Sequence, residues 1–258
     1  MLFGTGVIAD RFCDYELQRK YFIFAGSVND SLVEDEKILQ DEEAKIKLIL
    51  SENPDLLFVY FSSCSVLDPD VSDTPYVLHK LRAEKIIKED AKSFLIFRLP
   101  QVLGISNEKS SLINYLVDSI ANKKPINIWD KSKKNLIDID DIHAISSEIL
   151  KNNLCLNSTI NIASTKQISV LNIVADIEKF LGITANYTLV DKGSDLSPNV
   201  SEIEPLLIHL NVNFGEYYLT SALEKYFSHL INDPKTLSII VPTYNEELGI
   251  DEFYRRTK

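Results

Sequence analysis

Leu56-Leu57-Phe58-Val59-Tyr60-Phe61-Ser62-Ser63 and, beyond a short loop, Thr74-Pro75-Tyr76-Val77-Leu78-His79-Lys80 decide how this chain is read. The first segment is a continuous apolar run that ends in hydroxyl residues, the pattern of a strand buried on both faces. The second opens a helix. Thr74 is placed to cap it, and Pro75 falls at the first helical position, where a missing N–H costs nothing. Tyr76 and Lys80 are four residues apart and so share one helical face. A hydroxyl at a strand end beside such a tyrosine–lysine pair is a candidate proton-transfer site. The lysine charge favours tyrosinate and is expected to lower Tyr76 from about 10 toward neutrality. Ser63 would hold a substrate oxygen for that tyrosine.

Toward the N-terminus, Gly4-Thr5-Gly6-Val7-Ile8-Ala9 separates a very short strand from a helix start. In a dinucleotide fingerprint the first glycine makes the tight turn and the second lets a pyrophosphate approach. Ala9, in place of a third glycine, still permits close helix–strand packing. A simple glycine turn is the structural alternative. Residues 21–27 read as the next strand and turn. Residues 32–51 are charged and apolar at helical spacing, with Ile38, Leu39, Ile46, Ile49 and Leu50 as core candidates. The helix from Thr74 runs to residue 90, with Glu84 and Lys85 on its more exposed side, and residues 94–97 form another strand. These strand–helix steps predict a parallel sheet with helices on both faces, which binds ligands beyond the carboxyl ends of its strands. Gly6, Ser63 and Gln101 fall at such ends.

Farther along, residues 110–122 read as a helix and residues 125–129 as a short strand. Trp129 is read as lobe packing ahead of sugar stacking. Asp138, Asp140 and Asp141 are read as caps of a helix from Ile142 rather than as a metal site. Ser169 is placed to cap a helix over Val170–Leu181, which Gly182 ends. Residues 191–205 read as a loop or linker, and Leu223, Tyr226, Phe227 and Leu230 mark the apolar side of a helix over residues 220–230.

The ordered set of Ser63, Tyr76 and Lys80 after a buried strand resembles the extended short-chain dehydrogenase/reductases, in particular the NAD-dependent epimerase/dehydratase branch acting on nucleotide sugars. The glycine segment at residues 4–9, Arg98-Leu99-Pro100-Gln101-Val102-Leu103-Gly104, and the segment from Asn135 to the Asp140–Asp141 pair fit the same resemblance, which spans roughly residues 2–185. It implies a Rossmann-like sheet, Ser63, Tyr76 and Lys80 as catalytic residues, and NAD or NADP as cofactor. Gly4, Gly6, Val7, Ile8, Ala25, Gly26, Leu99 and Gln101 would join Tyr76 and Lys80 around that cofactor. Ser63, Cys64, Asn107 and Asn161 would face the substrate. Cys64 and Ser65 match poorly the extra acid–base pair of a dehydratase, which favours a reductase or an epimerase.

The chain departs from the family after its second strand. Ala25-Gly26-Ser27-Val28-Asn29 resembles the loop after the family's fourth strand, so the usual second and third strands are expected to be missing. With them goes the acidic or basic residue that reads the adenosine ribose. The expected organisation is a cofactor domain with part of the substrate lobe over residues 1–185, further lobe elements over residues 186–236, and a tail over residues 237–258. In that tail, Leu237-Ser238-Ile239-Ile240-Val241-Pro242-Thr243-Tyr244-Asn245-Glu246-Glu247 resembles the opening strand of a family 2 glycosyltransferase. It reads either as the start of a second domain or as one extra strand. A fused or adjacent transferase would set the chain in surface polysaccharide biosynthesis.

Composition bounds the rest. A chain of 258 residues, 45% hydrophobic and 25% charged, suffices for one large α/β domain with a small lobe. A net charge of -11 argues against a general nucleic-acid partner. The three cysteines show neither metal-ligand spacing nor a disulfide framework, which fits a reducing, cytoplasmic setting without a signal peptide. No apolar run is long enough to span a membrane. The resemblance further implies a homodimer, with helices 32–51 and 74–90 as the expected interface. The rival reading is a degenerate, non-catalytic domain that binds a nucleotide sugar or scaffolds the transferase. A further rival puts all activity in the transferase region and predicts no cofactor binding.

Overall fold

The computed structural model describes residues 1–29, 31, 33–105, 111–193, 195 and 197–231. The glycosyltransferase-like stretch and Asn107 therefore lie outside the described residues. Five strands form the central sheet: β1 (Leu2–Phe3), β2 (Tyr21–Phe24), β3 (Leu57–Ser63), β4 (Phe94–Leu99) and β8 (Ser158–Asn161). Their spatial order is β1-β2-β3-β4-β8 and every pairing is parallel. The smaller sheets join β5 (Gln101–Leu103), β7 (Lys133–Asp138) and β9 (Gln167–Ser169), and pair β6 (Pro125–Trp129) with β10 (Asn186–Val190). This is the Rossmann-like arrangement expected from the sequence.

Helices cover both faces. On one side α1 (Val7–Arg11) and α5 (Ile139–Asn152) bury Ala9, Phe12, Ile142, Ile145 and Ile149. On the other, α2 (Glu36–Glu52) and α3 (Pro75–Asp90) bury Ile46, Ile49, Leu50, Ala83 and Ile87 against Phe22, Phe58 and Ile96. β3 is buried along its whole length, which is why its sequence is continuously apolar rather than alternating. The caps fall where the sequence puts them. Thr74 accepts a hydrogen bond from the Val77 N–H, and Ser169 accepts one from the Asn172 N–H at the start of α6 (Val170–Leu181). Gly182 ends α6 in a left-handed conformation.

β1 pairs directly with the strand that resembles the family's fourth, Leu2 opposite Ile23 and Phe3 opposite Phe24. Among the described residues no strand stands between β1 and β2 or beyond β1, as expected from the loss of two strands.

Past residue 105, α4 (Leu112–Ala121), α6, α7 (Glu204–His209) and α8 (Tyr218–Phe227) build the smaller lobe. Strand β10 and helix α8 fold back onto elements N-terminal to residue 185: β10 pairs with β6, and α8 docks on the start of α5. Asp138 caps α5, accepting from the Asp140 N–H at 2.8 Å, and also accepts hydrogen bonds from Lys225 Nζ at 2.9 Å and Tyr226 Oη at 2.9 Å. The capping role is as expected, with α5 beginning at Ile139 rather than Ile142.

Three expectations about exposure are corrected. Ile38 is 48% exposed, because α2 turns that position away from the sheet. Glu84 is 1% exposed, not on the outer side of α3. It is held by Arg98 through two hydrogen bonds, 2.8 and 2.6 Å, and accepts another from Ser62 at 2.8 Å. Trp129 is half exposed on the β6–β10 ribbon, with Lys192 5.9 Å from its ring centre.

Candidate active site

The carboxyl ends of β1, β2, β3 and β4 surround a cleft of about 210 Å³. Strand β3 delivers Ser63 to its floor, and α3 delivers Tyr76 and Lys80, one turn apart, to its wall. All three are buried. Ser63 and Tyr76 line the cleft together, and the Ser65 N–H donates to Ser63 Oγ at 3.1 Å, fixing the serine at the end of its strand.

Lys80 Nζ sits 5.4 Å from the centre of the Tyr76 ring. It donates to Ser27 Oγ and, at 3.3 Å, to Tyr60 Oη. Behind it, Glu42 Oε1 lies 3.9 Å from the ammonium and accepts from Tyr60 Oη at 2.9 Å. Burial lowers Lys80 to about 8, with Glu42 and Glu84 opposing that fall. Tyr76 moves opposite to expectation. Burial pushes it up to about 12, the Ser63 side chain pulls it down, and the Glu42 charge adds to the rise. The physical reason is burial, which disfavours the charged tyrosinate, with the nearby Glu42 carboxylate adding to it.

The two glycines of the first turn do different jobs. Gly6 has φ +93° and open space where a Cβ would stand, and it faces the cleft. Gly4 has φ +130°, and a Cβ there would lie 2.3 Å from the Gly26 nitrogen. Gly4 and Gly26 thus let the ends of β1 and β2 cross at backbone contact and do not line the cleft. Of the remaining cofactor-side residues named from the sequence, Val7, Ile8, Ala25, Leu99 and Gln101 do line it.

On the substrate side, Ser63 is in place. The Cys64 thiol is buried against the Arg98 carbonyl at 3.4 Å, and burial raises it to about 12, so it lies outside the cleft lining. Asn161 ends β8, where its amide donates to the Asn199 carbonyl at 2.8 Å, also away from the lining. Sequence reasoning missed Thr5, Ser27, Val28 and Ser65, which line the cleft. Ser27 carried one usable signal, its place directly after a strand end.

The cleft suits one half of a nicotinamide dinucleotide. The positive-φ turn at Gly6 and the start of α1 present backbone where a pyrophosphate would approach, and Tyr76 and Lys80 stand at the far wall. Beyond β1, the described residues supply no further strand for the adenosine half.

A parallel sheet with helices on both faces, carrying Ser63, Tyr76 and Lys80 at its carboxyl edge, defines a Rossmann-like protein with an acid–base cleft. Residues 38–163, just under half of the chain, match the NAD dependent epimerase/dehydratase family. The segment contains Ser63, Tyr76 and Lys80 but not the glycine turn. No curated protein sequence matches the chain significantly. Among solved structures, the fold is similar to UDP-glucuronic acid 4-epimerase from Bacillus cereus in complex with UDP-glucuronic acid and NAD (TM-score 0.64, 19% identity, covering 81% of this chain and 74% of that one). It is also similar to UDP-N-acetylglucosamine 4-epimerase from Bacillus cereus (TM-score 0.61, 17% identity, 81% and 78% covered). A third likeness is RMD from Pseudomonas aeruginosa complexed with NADPH (TM-score 0.64, 15% identity, 82% of each chain covered). At these identities the likenesses establish the fold.

Proposed function

We propose that this chain is an NAD- or NADP-dependent epimerase or reductase acting on a nucleotide-linked sugar. The observation that carries the reading is the convergence of Ser63, Tyr76 and Lys80 on one cleft. The matched family and the ligands bound to the similar structures support it.

When bound, the nicotinamide supplies hydride transfer. The chain supplies position, exclusion of water and a proton. Tyr76 gives or takes the hydroxyl proton at the sugar carbon. Ser63 holds the same oxygen. Lys80 stabilises negative charge as it develops on Tyr76. The backbone from Gly6 to Ile8 would hold the pyrophosphate, and Leu99 and Gln101 the nicotinamide side.

In this reading residues 1–185 form the cofactor domain with part of the substrate lobe, and residues 186–236 complete the lobe. Ser63 is its substrate-side residue in the cleft lining, and Asn107, outside the described residues, is proposed as a second. Helices α2 and α3 form the interface of a homodimer. The resemblance of residues 237–247 to a family 2 glycosyltransferase supports a place in surface polysaccharide biosynthesis. Among the described residues no helix is long and apolar enough to cross a membrane, and we place the chain in the cytoplasm. The rival, a non-catalytic nucleotide-sugar-binding or scaffolding domain, is favoured only by the short sheet edge at β1.

Calorimetric titration with NAD+, NADH, NADP+ and NADPH, with and without UDP-sugars, followed by turnover assays on the bound pairs, tests the proposal. Tyr76→Phe is expected to lower turnover by about 10²–10⁴-fold while leaving cofactor affinity nearly unchanged. Unchanged turnover in that variant overturns the assignment, and no cofactor binding by the folded protein favours the scaffolding rival.

A further inference from the structure

A dinucleotide-binding sheet consists of two mononucleotide-binding halves side by side, and each half of the ligand lies over its own set of strand ends. Between β1 and β2 this chain spends only residues 4–20, all of them described. That length makes one crossover, through α1. A further parallel strand with its own crossover would need about a dozen residues more.

The short route is built into the core. Phe12 and Tyr15, which follow α1, are buried, with their rings 5.9 Å apart. Phe12 packs edge-on against Phe61 of β3 at 5.0 Å, and Tyr15 against Tyr21 of β2 at 5.7 Å. The Tyr21 hydroxyl donates to the Leu150 carbonyl at the end of α5. Aromatic packing on both sides of the link thus ties it directly to β2, β3 and α5. On the α2 side of β1, the Phe3 ring lies 5.0 Å from the Phe24 ring and carries the Lys45 ammonium 5.0 Å from its own centre. Side chains, rather than a second half-sheet, finish this flank among the described residues.

The cleft stops where the half-sheet stops. Its lining runs from Tyr76 and Lys80 on one wall to the turn Thr5, Gly6, Val7 and Ile8 on the other, and includes none of residues 9–24. Its volume of about 210 Å³ falls below the roughly 300–1,000 Å³ of a pocket that encloses a drug-sized ligand.

We propose that the ligand recognised by this cleft is nicotinamide mononucleotide, free or as one half of a dinucleotide, and that the adenosine half of NAD or NADP stays in solvent. This rests on the reading of the cleft as a nicotinamide site given above, and deepens it. The nicotinamide faces Tyr76 and Lys80, and the phosphate reaches the turn at Gly6. Past that turn the chain offers the second nucleotide no strand end to lie on, no buried pocket for its base and no acidic or basic residue directly after β2 for its ribose. Binding energy therefore comes from the half that the cleft encloses, and the adenosine half adds little.

Calorimetric titration of the full chain with NADH and with reduced nicotinamide mononucleotide reads the two affinities directly. The mononucleotide is expected to bind within about tenfold of NADH. An NADH dissociation constant lower by about a hundredfold or more shows that the adenosine half is held, which overturns the inference and leaves the epimerase or reductase reading standing. A second readout follows the adenine itself. In the etheno-adenine analogue of NAD+, bound to saturation, acrylamide is expected to quench the adenine fluorescence as it quenches free etheno-AMP. A bound ring shielded from acrylamide overturns the inference in the same way. Mononucleotide binding without turnover of any UDP-sugar removes the epimerase or reductase reading and leaves the mononucleotide site in place. Binding of neither nicotinamide ligand by the folded protein overturns both.

Discussion

The two ends of the cleft are built to different standards. At the Tyr76–Lys80 end, every charged group below the surface is paired: Lys80 with Glu42, and Glu84 with Arg98. At the Gly4–Gly26 end backbone lies in contact with backbone, and among the described residues the sheet stops at a two-residue strand. The family match covers the first end and begins after the second. The contrast teaches that acid–base geometry depends on a few long side chains set by α2, α3 and β3, and survives the loss of two strands at the sheet's edge. Enclosure of the adenosine half depends on those strands and does not.

The largest effect is expected where the charged end is broken. Arg98→Met leaves the Glu84 carboxylate buried with only its lesser partners, at a cost of about 3–5 kcal/mol in unfolding free energy at neutral pH. The sign with pH is informative. Arg98 and Ser62 hold Glu84 below its usual 4.5, so in the wild type this contribution is complete above that value and is lost as pH falls through the lower folded one. In Arg98→Met burial favours the neutral acid, so the deficit should shrink toward pH 4. Urea midpoints measured from pH 4 to 8 check both statements. A deficit that does not change with pH would place the loss in packing rather than charge.

The glycine end should break by geometry alone. Gly4→Ala is expected to cost about 2–4 kcal/mol, from a Cβ driven into the Gly26 backbone and from positive-φ strain. Gly6→Ala meets no atom and should cost about 1–2 kcal/mol from strain alone. Its main effect should be weaker dinucleotide binding. Equal destabilisation by the two would remove the distinction between a crossing glycine and a cleft glycine.

The smallest effect sharpens the comparison. With no acidic or basic residue following β2 directly, NADH and NADPH are expected to bind within about tenfold of each other, less than roughly 1.4 kcal/mol. Parallel calorimetric titrations decide this. A preference above about a hundredfold would mean that a residue away from the β2 end reads the ribose.

Much of this molecule is legible along the chain. Strand β3, the cap at Thr74, the shared face of Tyr76 and Lys80, the cap at Ser169 and the stop at Gly182 all follow from period, turn chemistry and capping, which are local. The missing strands were legible too, because the segment after Phe24 has the character of a later loop. Other features were not. Glu84 and Glu42 look like surface charges on helices, because a helix buried on several sides no longer separates its polar from its apolar residues cleanly. The contacts of His79 are not local, since Glu42 and Glu43 reach it from another helix. Cys64 adjoins Ser63 in sequence, but the turn after β3 sends its thiol into the core.

By itself, the sequence determined the class of fold, the position of the Ser63–Tyr76–Lys80 site and the loss of the second and third strands. Each is encoded in neighbouring residues or in the order of motifs. Only the tertiary structure decided that Gly4 and Gly26 serve backbone contact, that Tyr76 is raised rather than lowered, and that Lys80 backs onto Glu42 and His79. Those outcomes depend on distances between elements far apart in the chain and on burial, which sets the strength of every charge involved.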